Sequence, residues 1–499
     1  MKPIGTITKY YPFIDEESQS ILNSLMDGSS NYYDFVQRLC KVVLENKVPL
    51  VLVFIAAVQA WWTRAEESVK LIQEKYKDEP CIRPWGYVIK SSVSDQAQYH
   101  DSIVAAIDKA LDTTLADWME VELHFIHSYL HYPTFGDVPS LLEPLERAKS
   151  LIESNPSLAC FQPLILMFEG CVQGMEEYRK DSIDTHKRGL ELARNNDDKL
   201  YTYLNLEPLA GVMVNFDVQE SLDLFQEMYD LAQDLDIPYM IGEALYDSSI
   251  AFGFAGEYDL QISSIEECIK ILGGDDSDWM ELSWTYAELG DGQMALEWAN
   301  QAFENVGHIE YPRLYLAKAW ALALLNRVEE AEHNLDTAYS LILKTGKEYP
   351  LGIYYHIAGV IELARGDYEA ALDLLEKSEE IIERIAIILY QNNVLLDLAR
   401  AEILLAGQSK GSTIGITPGK WLSKLERHAL ERNLPGIRMY AALLKSEFYQ
   451  NHDQLKNALT VLTDALHITD SPGVTTLRKR IIAKTQEIEK HLHDEEIVS

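Results

Sequence analysis

The chain is poor in the residues that hold small secreted folds together. It contains five cysteines, an odd number with wide gaps and no C-x-x-C pair, which predicts neither a disulfide framework nor a zinc cage. The single Asn-x-Ser match, Asn155-Pro156-Ser157, has the forbidden proline in its middle position. The first residues, MKPIGTITKYYPFIDEE, lack the apolar run and the cleavage site of a secretory signal. We therefore expect a cytoplasmic protein.

Basic residues are also scarce. Lys and Arg number 43 against 79 for Asp and Glu, which gives a formal net charge of −36. A field of this sign repels the phosphates of nucleic acids and the anionic surface of membranes. We expect no nucleic-acid partner, and we expect a protein or peptide partner that is basic or apolar.

No apolar run is long enough to span a membrane. The most apolar stretch, VPLVLVFIAAVQAWW at residues 48–62, has 15 residues, whereas a membrane-spanning helix needs about 20. It predicts a buried helix that continues into the amphipathic stretch TRAEESVKLIQEKY at residues 63–76, so that one helix covers both. The same apolar surface is able to seal a dimer, and the expected state is a monomer or a homodimer.

Catalytic and nucleotide-binding motifs are absent or incomplete. The stretch GITPGK, residues 415–420, has three residues between its glycines where a phosphate-binding loop needs four, and Trp421 stands where Ser or Thr must hold magnesium. The acidic stretch GGDDSDW, residues 273–279, lacks the alternation and the final glutamate of a calcium loop, and its Asp and Ser residues predict a helix start. No Gly-x-Ser-x-Gly elbow occurs. We expect no enzyme activity and no cofactor.

One predicted helix carries a row of possible metal ligands. In WMEVELHFIHSYLH, residues 118–131, a single stripe includes Glu120, His124, His127 and His131, which are side chains suited to zinc or iron(II). Ligands at i and i+7 lie about 10 Å apart at a rise of about 1.5 Å per residue, too far for one ion to hold both ends. A metal-dependent enzyme built on His124, His127 and Glu120 is therefore the least favoured hypothesis, and the expectation is that no metal is bound.

An internal repeat is the strongest positive signal in the sequence. Turns beginning at Gly256, Gly290 and Gly366 are each followed by small and large apolar residues at i, i+3, i+4 and i+7, the spacing of one helical face. The unit is a helix, a tight turn and a second helix. The residues at the first of these positions in successive units are Ser221, Gln261, Ala295, Ala331 and Ala371, and after a double step Ala458.

These units, which recur every 34 to 40 residues, resemble the tetratricopeptide repeat (TPR) family, whose period is about 34 residues. The resemblance is best over residues 245–382. It implies an all-α fold, a right-handed superhelical α-solenoid of helix-turn-helix repeats. We expect a helical N-terminal region of unassigned repeat type at 1–95, the TPR-like solenoid at 96–473 with a flexible loop at 406–420, and a closing helix and tail at 474–499.

In TPR proteins the first helix of each unit lines a concave groove, and the resemblance implies the same here. The outward residues of the first helices are then Tyr246, Phe254, Trp284, Trp320 and His356, whose rings would form shelves for a bound peptide. An aromatic stripe at helical spacing also fits core packing. The leading hypothesis is a non-enzymatic scaffold that binds a peptide or protein segment in this groove. The alternative is a sensor or regulatory subunit of a signalling or transcription system that responds to a ligand.

Overall fold

The fold was analysed in a computed structural model of the 499-residue chain. The structure describes residues 5–86, 93–131, 138–176, 180–305, 312–345, 348–384, 388–408 and 419–498. These residues form α-helices and short 3₁₀ helices, and no β-strand occurs among them. Nor is any described helix both long and apolar enough to cross a bilayer.

The α-helices follow one another with short connections. In chain order they are α1 (Gly5–Thr8), α2 (Glu16–Gly28), α3 (Tyr32–Glu45), α4 (Leu50–Trp62), α5 (Glu66–Lys75), α6 (Val93–Leu111), α7 (Asp117–His131), α8 (Val138–Ser154), α9 (Gln162–Glu176), α10 (Lys180–Asn195), α11 (Lys199–Met213), α12 (Val218–Leu235), α13 (Pro238–Ala255), α14 (Tyr258–Leu272), α15 (Asp276–Glu288), α16 (Gly292–Asn305), α17 (Pro312–Leu324), α18 (Val328–Thr345), α19 (Glu348–Arg365), α20 (Tyr368–Arg384), α21 (Ile388–Gln408), α22 (Lys420–Glu431), α23 (Pro435–Asn451), α24 (Leu455–Ala465) and α25 (Thr475–Val498).

The chain divides into two compact units. Unit 1 comprises Met1–Met213 and Asp223–Ala244, and unit 2 comprises Val214–Leu222 and Leu245–Ser499. Within each unit, consecutive helices pack in pairs, such as α9 with α10 and α19 with α20. In unit 2 the first helices of successive pairs also contact one another. The predicted all-α fold of stacked helix pairs is confirmed, whereas the predicted boundaries at 95/96 and 473/474 stay a prediction.

The helix pairs of unit 2 have glycine at their turns and small residues at their contacts, as predicted. Gly256, Gly290 and Gly366 have φ of +76°, +75° and +83°, a left-handed conformation that glycine adopts without a Cβ clash. Between α19 and α20 the backbones approach so closely that a Cβ on Gly359 would lie 2.6 Å from Cγ of Leu375. Small residues at these contacts let the large ones fill the remaining space, so each pair buries its apolar face against its neighbours.

The segment at residues 48–76 differs from its prediction. Residues 52–62 of α4 are all buried, as expected of a buried helix. The single continuous helix is wrong, however, because the chain turns sharply at Thr63–Ala65 before α5 begins. Arg64 occupies the turn with φ of +53°, and the main-chain N–H of Ala65 donates to the carbonyl oxygen of Ala60, which closes α4. Continuous helical periodicity in the sequence concealed this turn.

Three further predictions concern the start of α15, the last helix and the loop at residues 406–420. Asp275 caps α15, since its carboxylate accepts from the main-chain N–H groups of Ser277 and Asp278 while Asp278 caps the N–H of Asp275 in return. Helix α25 lies in the segment predicted to be a closing helix and tail, and its closing role stays a prediction. Of the predicted loop at 406–420, residues 409–418 lie outside the described residues, whereas 406–408 belong to the end of α21 and Lys420 begins α22.

Candidate functional site

The first helices of successive pairs in unit 2 are in contact with one another. Helix α15 contacts α17, α17 contacts α19, α19 contacts α21, and α21 contacts α23. We call these five helices the inner row. Side chains that an inner-row helix directs toward the next member of the row meet across the unit, because residues three and four apart project from one helical face.

Four aromatic rings from four inner-row helices form one cluster. The ring centroid of Trp284 on α15 lies 5.3 Å from that of Trp320 on α17 and 6.0 Å from that of Tyr390 on α21. The ring of His356 on α19 lies 5.0 Å from Trp320 and 5.2 Å from Tyr390. All four contacts are edge-on, the geometry favoured by aromatic quadrupoles. We call these residues the ring cluster; each is at most 8% exposed.

A series of side-chain hydrogen bonds extends from the ring cluster along α21. Nδ1 of His356 lies 2.6 Å from the hydroxyl of Tyr390, and its Nε2 lies 2.8 Å from Oδ2 of Asp397. A neutral imidazole satisfies both contacts by donating from Nε2 and accepting at Nδ1. Arg400 donates to Oδ1 of Asp397 at 2.6 Å and to the hydroxyl of Tyr440 at 3.2 Å. Burial alone would raise the pKa of Asp397, but Arg400 and the His356 hydrogen bond outweigh it and lower that pKa.

Helix α15 adds two carboxyl groups on the face that carries Trp284. Glu281 and Glu288 stand three residues before and four residues after it. Oε2 of Glu281 lies 3.7 Å from a guanidinium nitrogen of Arg313 on α17. Oε1 of Glu288 accepts from the side-chain amide of Asn393 at 2.6 Å. Burial raises the pKa of Glu288 to about 8, against which the single amide donor acts only weakly.

Residues distant in the sequence join the last helices of unit 2 to its first helices. Nδ2 of Asn392 donates to the main-chain oxygen of Phe254 at 2.9 Å. A Cβ on Gly436 would lie 2.0 Å from the main-chain oxygen of Gly256, so α13 and α23 meet there backbone to backbone. Asp259 accepts from the hydroxyl of Thr476 at 2.6 Å, which joins α14 to α25. The last helices of the unit therefore contact its first ones.

The five residues predicted to bind a peptide have different positions. Trp284, Trp320 and His356 are brought together in the ring cluster, where all three are buried. Phe254 is buried on α13, and its main-chain oxygen accepts from Asn392. Tyr246 is partly exposed on the same helix. Their role in peptide binding stays a prediction.

Among the described residues, the histidine stripe of α7 does not form a set of metal ligands. His124 is buried, its Nδ1 has no hydrogen-bond partner among the described residues, and burial lowers its pKa to about 4. His127 and Glu120 are partly exposed, and the side chain of His131 lies outside the described residues. Within the described part of the chain, no group of three or more His, Cys, Asp and Glu side chains is placed to hold a metal ion.

Sequence reasoning missed the polar face of α21. Tyr390, Asn393, Asp397 and Arg400 follow one another at intervals of three, four and three residues, so they lie on one helical face. They fall in the double step between Ala371 and Ala458, where no Gly-acidic turn marks the unit. The signal that identifies them is a polar stripe within an otherwise apolar helix, since α21 also contains the buried run from Val394 to Leu396.

Comparison with known proteins adds little to this description. No protein-family model matches the chain, and no curated protein matches it significantly. Among solved structures, it is similar to a Rap protein complexed with Competence and Sporulation Factor, with 13% sequence identity and a TM-score of 0.41. The match covers 76% of this chain and 99% of that one. At this TM-score the similarity supports no argument, and the all-α repeat architecture rests on the helix contacts of each unit.

Proposed function

We propose that unit 2 is a protein-binding scaffold of the TPR kind, whose inner row binds an extended or helical segment of a partner protein. The observation that carries this proposal is the placement of ionisable groups where a purely structural core would be apolar. Glu281, Glu288 and Asp397 all lie on inner-row helices. Asp397 is 3% exposed, and Glu281 and Glu288 are partly exposed. Ionic groups withdrawn from water seldom add stability over apolar side chains of the same volume, so their presence on the inner row favours a role in recognition.

The charges of the inner row favour a basic segment. Asp397 is compensated by Arg400, and Glu281 faces Arg313. Among the described residues, the side chain of Glu288 has a neutral amide, that of Asn393, as its hydrogen-bond partner. A Lys or Arg side chain of the partner would lower the pKa of Glu288 and pair with its ionised carboxylate. The long-range field of the acidic chain would speed the approach of such a segment at low salt. The ring cluster itself is buried, so the segment would bind beside it, where Tyr246 and Arg313 are partly exposed.

Site-directed photo-crosslinking in native cells tests the proposal. A photoreactive residue replaces Tyr246 or Arg313, which are partly exposed beside the inner row, and in a control it replaces Leu343, which is 63% exposed on α18. We expect one partner segment to be crosslinked from the first two positions and not from Leu343. Equal labelling from all three positions would contradict binding on the inner row.

The crosslinked segment is then synthesised and its affinity is measured by calorimetry. Glu281→Gln with Glu288→Gln should weaken binding of a basic segment about tenfold or more, as expected when charge-assisted pairs are lost. The matched control is Glu297→Gln on α16, an exposed residue of the second helix. Alanine variants of Trp284 and Trp320 are unsuitable for this test, because the cavities they create cost about 3–5 kcal/mol of stability.

A further inference from the structure

A second site lies in unit 1, in a cavity formed by the helix pair of α7 and α8 and by the end of α6. The volume of this cavity is about 640 Å³, within the range of about 300–1,000 Å³ that is usual for small-molecule sites. Its lining comprises Leu111 at the end of α6 and residues of α7 and α8. More than half of the lining residues are exposed, so the cavity opens to solvent. We call it the α7–α8 cavity.

The α7–α8 cavity has an excess of carboxylates. Glu120 on α7 and Glu143 and Glu146 on α8 are lining residues, and so is Arg147. Arg147 pairs with Glu143, since a guanidinium nitrogen lies 2.7 Å from a carboxylate oxygen. In the part of the chain that the structure describes, neither Glu120 nor Glu146 forms an ion pair. The cavity therefore offers two carboxylates to a cationic ligand.

His124 is the most deeply buried of the lining side chains. It is 5% exposed, and its Nδ1 atom is buried without a hydrogen-bond partner among the described residues. Burial lowers the pKa of His124 to about 4, and His127 and Arg147 lower it further, so the imidazole is neutral near pH 7. With hydrogen on Nε2, Nδ1 is an acceptor. Buried polar atoms normally have a partner, so a donor is missing beside this ring.

The lining groups define the chemistry of a ligand. Glu120 and His124 stand four residues apart on α7, so they share one side of the helix and one donor group is able to contact both. Leu111 and Leu151 add apolar surface. An anion would be repelled by the carboxylates, and among the described residues no group of three or more His, Cys, Asp and Glu side chains is placed to hold a metal ion. The lining therefore fits an organic cation with an aliphatic chain.

We propose that the α7–α8 cavity binds an aliphatic diamine or polyamine. One ammonium group pairs with Glu120 and donates to Nδ1 of His124. A second ammonium group pairs with Glu146 on α8, and the methylene chain between the two groups packs on Leu111 and Leu151. Such a ligand compensates both carboxylates that lack an ion pair, and it supplies the donor that the imidazole lacks. This site lies wholly in unit 1 and does not depend on the function proposed for unit 2.

Calorimetric titration of the full chain tests this proposal. The probes are putrescine, cadaverine and spermidine, each at up to about 10 mM, in about 0.15 M NaCl, which screens the long-range field of the acidic chain. Two further probes have a single ammonium group: butylamine, and N-acetyl-lysine amide, which represents a lysine side chain of a protein. We expect at least one diamine or polyamine to bind at least tenfold more tightly than either of these. If no diamine or polyamine binds, or if a probe with one ammonium group binds as tightly, the proposal is overturned.

Two variants and a matched control locate the bound ligand. Glu120→Gln and Glu146→Gln each remove one carboxylate from the lining and should weaken binding of the preferred probe about tenfold. Both residues are at least partly exposed, so the variants should melt at the temperature of the native chain. The control is Glu153→Gln, an exposed residue of α8 outside the lining, which changes the net charge equally and should leave the affinity unchanged. Equal weakening in all three variants would show diffuse attraction and refute the site.

The role of His124 and the exclusion of a metal ion are tested separately. His124→Phe keeps a ring of similar size and removes the acceptor, so it should weaken binding of the preferred probe about tenfold. Native affinity in a folded His124→Phe variant would overturn the proposed contact, and if the variant does not fold, the two glutamate variants decide. Zn²⁺ alone should not displace the bound probe. If Zn²⁺ displaces it and binds more tightly in the native chain than in Glu120→Gln, the cavity is a metal site and the proposal is wrong.

Discussion

The two units bury their helices with different side chains. In unit 2, alanine, glycine and serine occupy the contacts within the pairs, as where Ser283 on α15 donates to the main-chain oxygen of Ala295 on α16 at 2.8 Å. In unit 1, the N-terminal helices pack around large rings, and the ring of Phe54 contacts both Trp85 and Trp118 edge-on. Small contacts recur with the helix pairs, whereas a packing of large rings is unique at every position. The first kind of core leaves a period in the sequence and the second leaves none.

An ion pair that is buried in unit 1 can be compared with one that is exposed on the surface of unit 2. Unit 1 encloses the Lys9–Asp198 ion pair, at 3.1 Å, with side chains only 3% and 2% exposed. The ammonium group of Lys9 also lies 3.3 Å from the ring centroid of Tyr201. In unit 2 the pair Arg327–Glu330 is exposed on the surface. The ion pair of unit 1 therefore anchors the N-terminal segment in the core, and breaking it should cost far more than breaking the surface pair.

The largest expected effect follows from that contrast. Lys9→Met leaves the Asp198 carboxylate buried without its cation and should lower the free energy of unfolding by about 3–5 kcal/mol. The matched change Arg327→Met should cost less than about 1 kcal/mol. Urea denaturation followed by circular dichroism measures both. A loss below about 1 kcal/mol for Lys9→Met would show that the buried pair does not hold the N-terminal segment.

The next largest expected effect is a loss of stability at acidic pH, caused by His186 in unit 1. This side chain is fully buried, both ring nitrogens lack hydrogen bonds among the described residues, and burial lowers its pKa to about 4. The unfolded chain binds the proton more readily, at a pKa of about 6.5, so stability is intact above that pH and falls by about 3 kcal/mol as the pH drops to 4.

His186→Met should remove most of this acid-dependent loss, which is measured as the free energy of unfolding at several pH values. The histidine packs against Gly170, where a Cβ would lie 2.6 Å from Cε1 of the ring, and the flexible methionine side chain is able to fill the same space. The control is His333→Met on α18. Because His333 is exposed, this change should leave the loss of stability in acid as it is in the native chain. If His186→Met loses as much stability in acid as the native chain does, the loss belongs to other groups, such as His124, whose pKa burial also lowers to about 4.

Two glycines inside helices sharpen the comparison of packing. In unit 2, Gly359→Ala places a Cβ 2.6 Å from Leu375 and should cost about 1–3 kcal/mol through overpacking. In unit 1, a Cβ on Gly211 meets no atom within 4 Å, so Gly211→Ala should stabilise α11 by about 0.5–1 kcal/mol. Thermal unfolding of the two variants should shift in opposite directions, and shifts of the same sign would contradict the close approach of α19 and α20.

The last prediction concerns Glu288 on the inner row. Its folded pKa of about 8 exceeds the unfolded value of about 4.5, so the stabilisation from its protonated form is complete below pH 4.5 and is lost as the pH rises through 8. Glu288→Gln keeps the acceptor for Asn393 and should stabilise the fold at pH 9 by at least about 1 kcal/mol, with no gain at pH 4. Urea denaturation at both pH values measures this, and Glu297→Gln serves as the exposed control.

Sequence patterns predicted much of the fold and part of the site. The turns at Gly256, Gly290 and Gly366 were predictable because only a residue tolerant of positive φ fits there. The ring cluster was predicted in part, since Trp284, Trp320 and His356 follow the repeat. The partners of His356 were not, because Tyr390 and Asp397 come from a unit without a recognisable turn. The break at Arg64 was also missed, because arginine is otherwise a good helix former.

The sequence by itself determined that this protein is built of paired helices, because helical periodicity, turn glycines and small contact residues are local features of a chain. Only the tertiary structure decided which side chains meet within each unit, as with His356 and Asp397 in unit 2 or Arg64 and Tyr129 in unit 1. Such contacts join helices far apart in the chain, and their geometry depends on how every intervening pair packs. Local propensity does not encode that geometry, so these contacts become visible only in the tertiary structure.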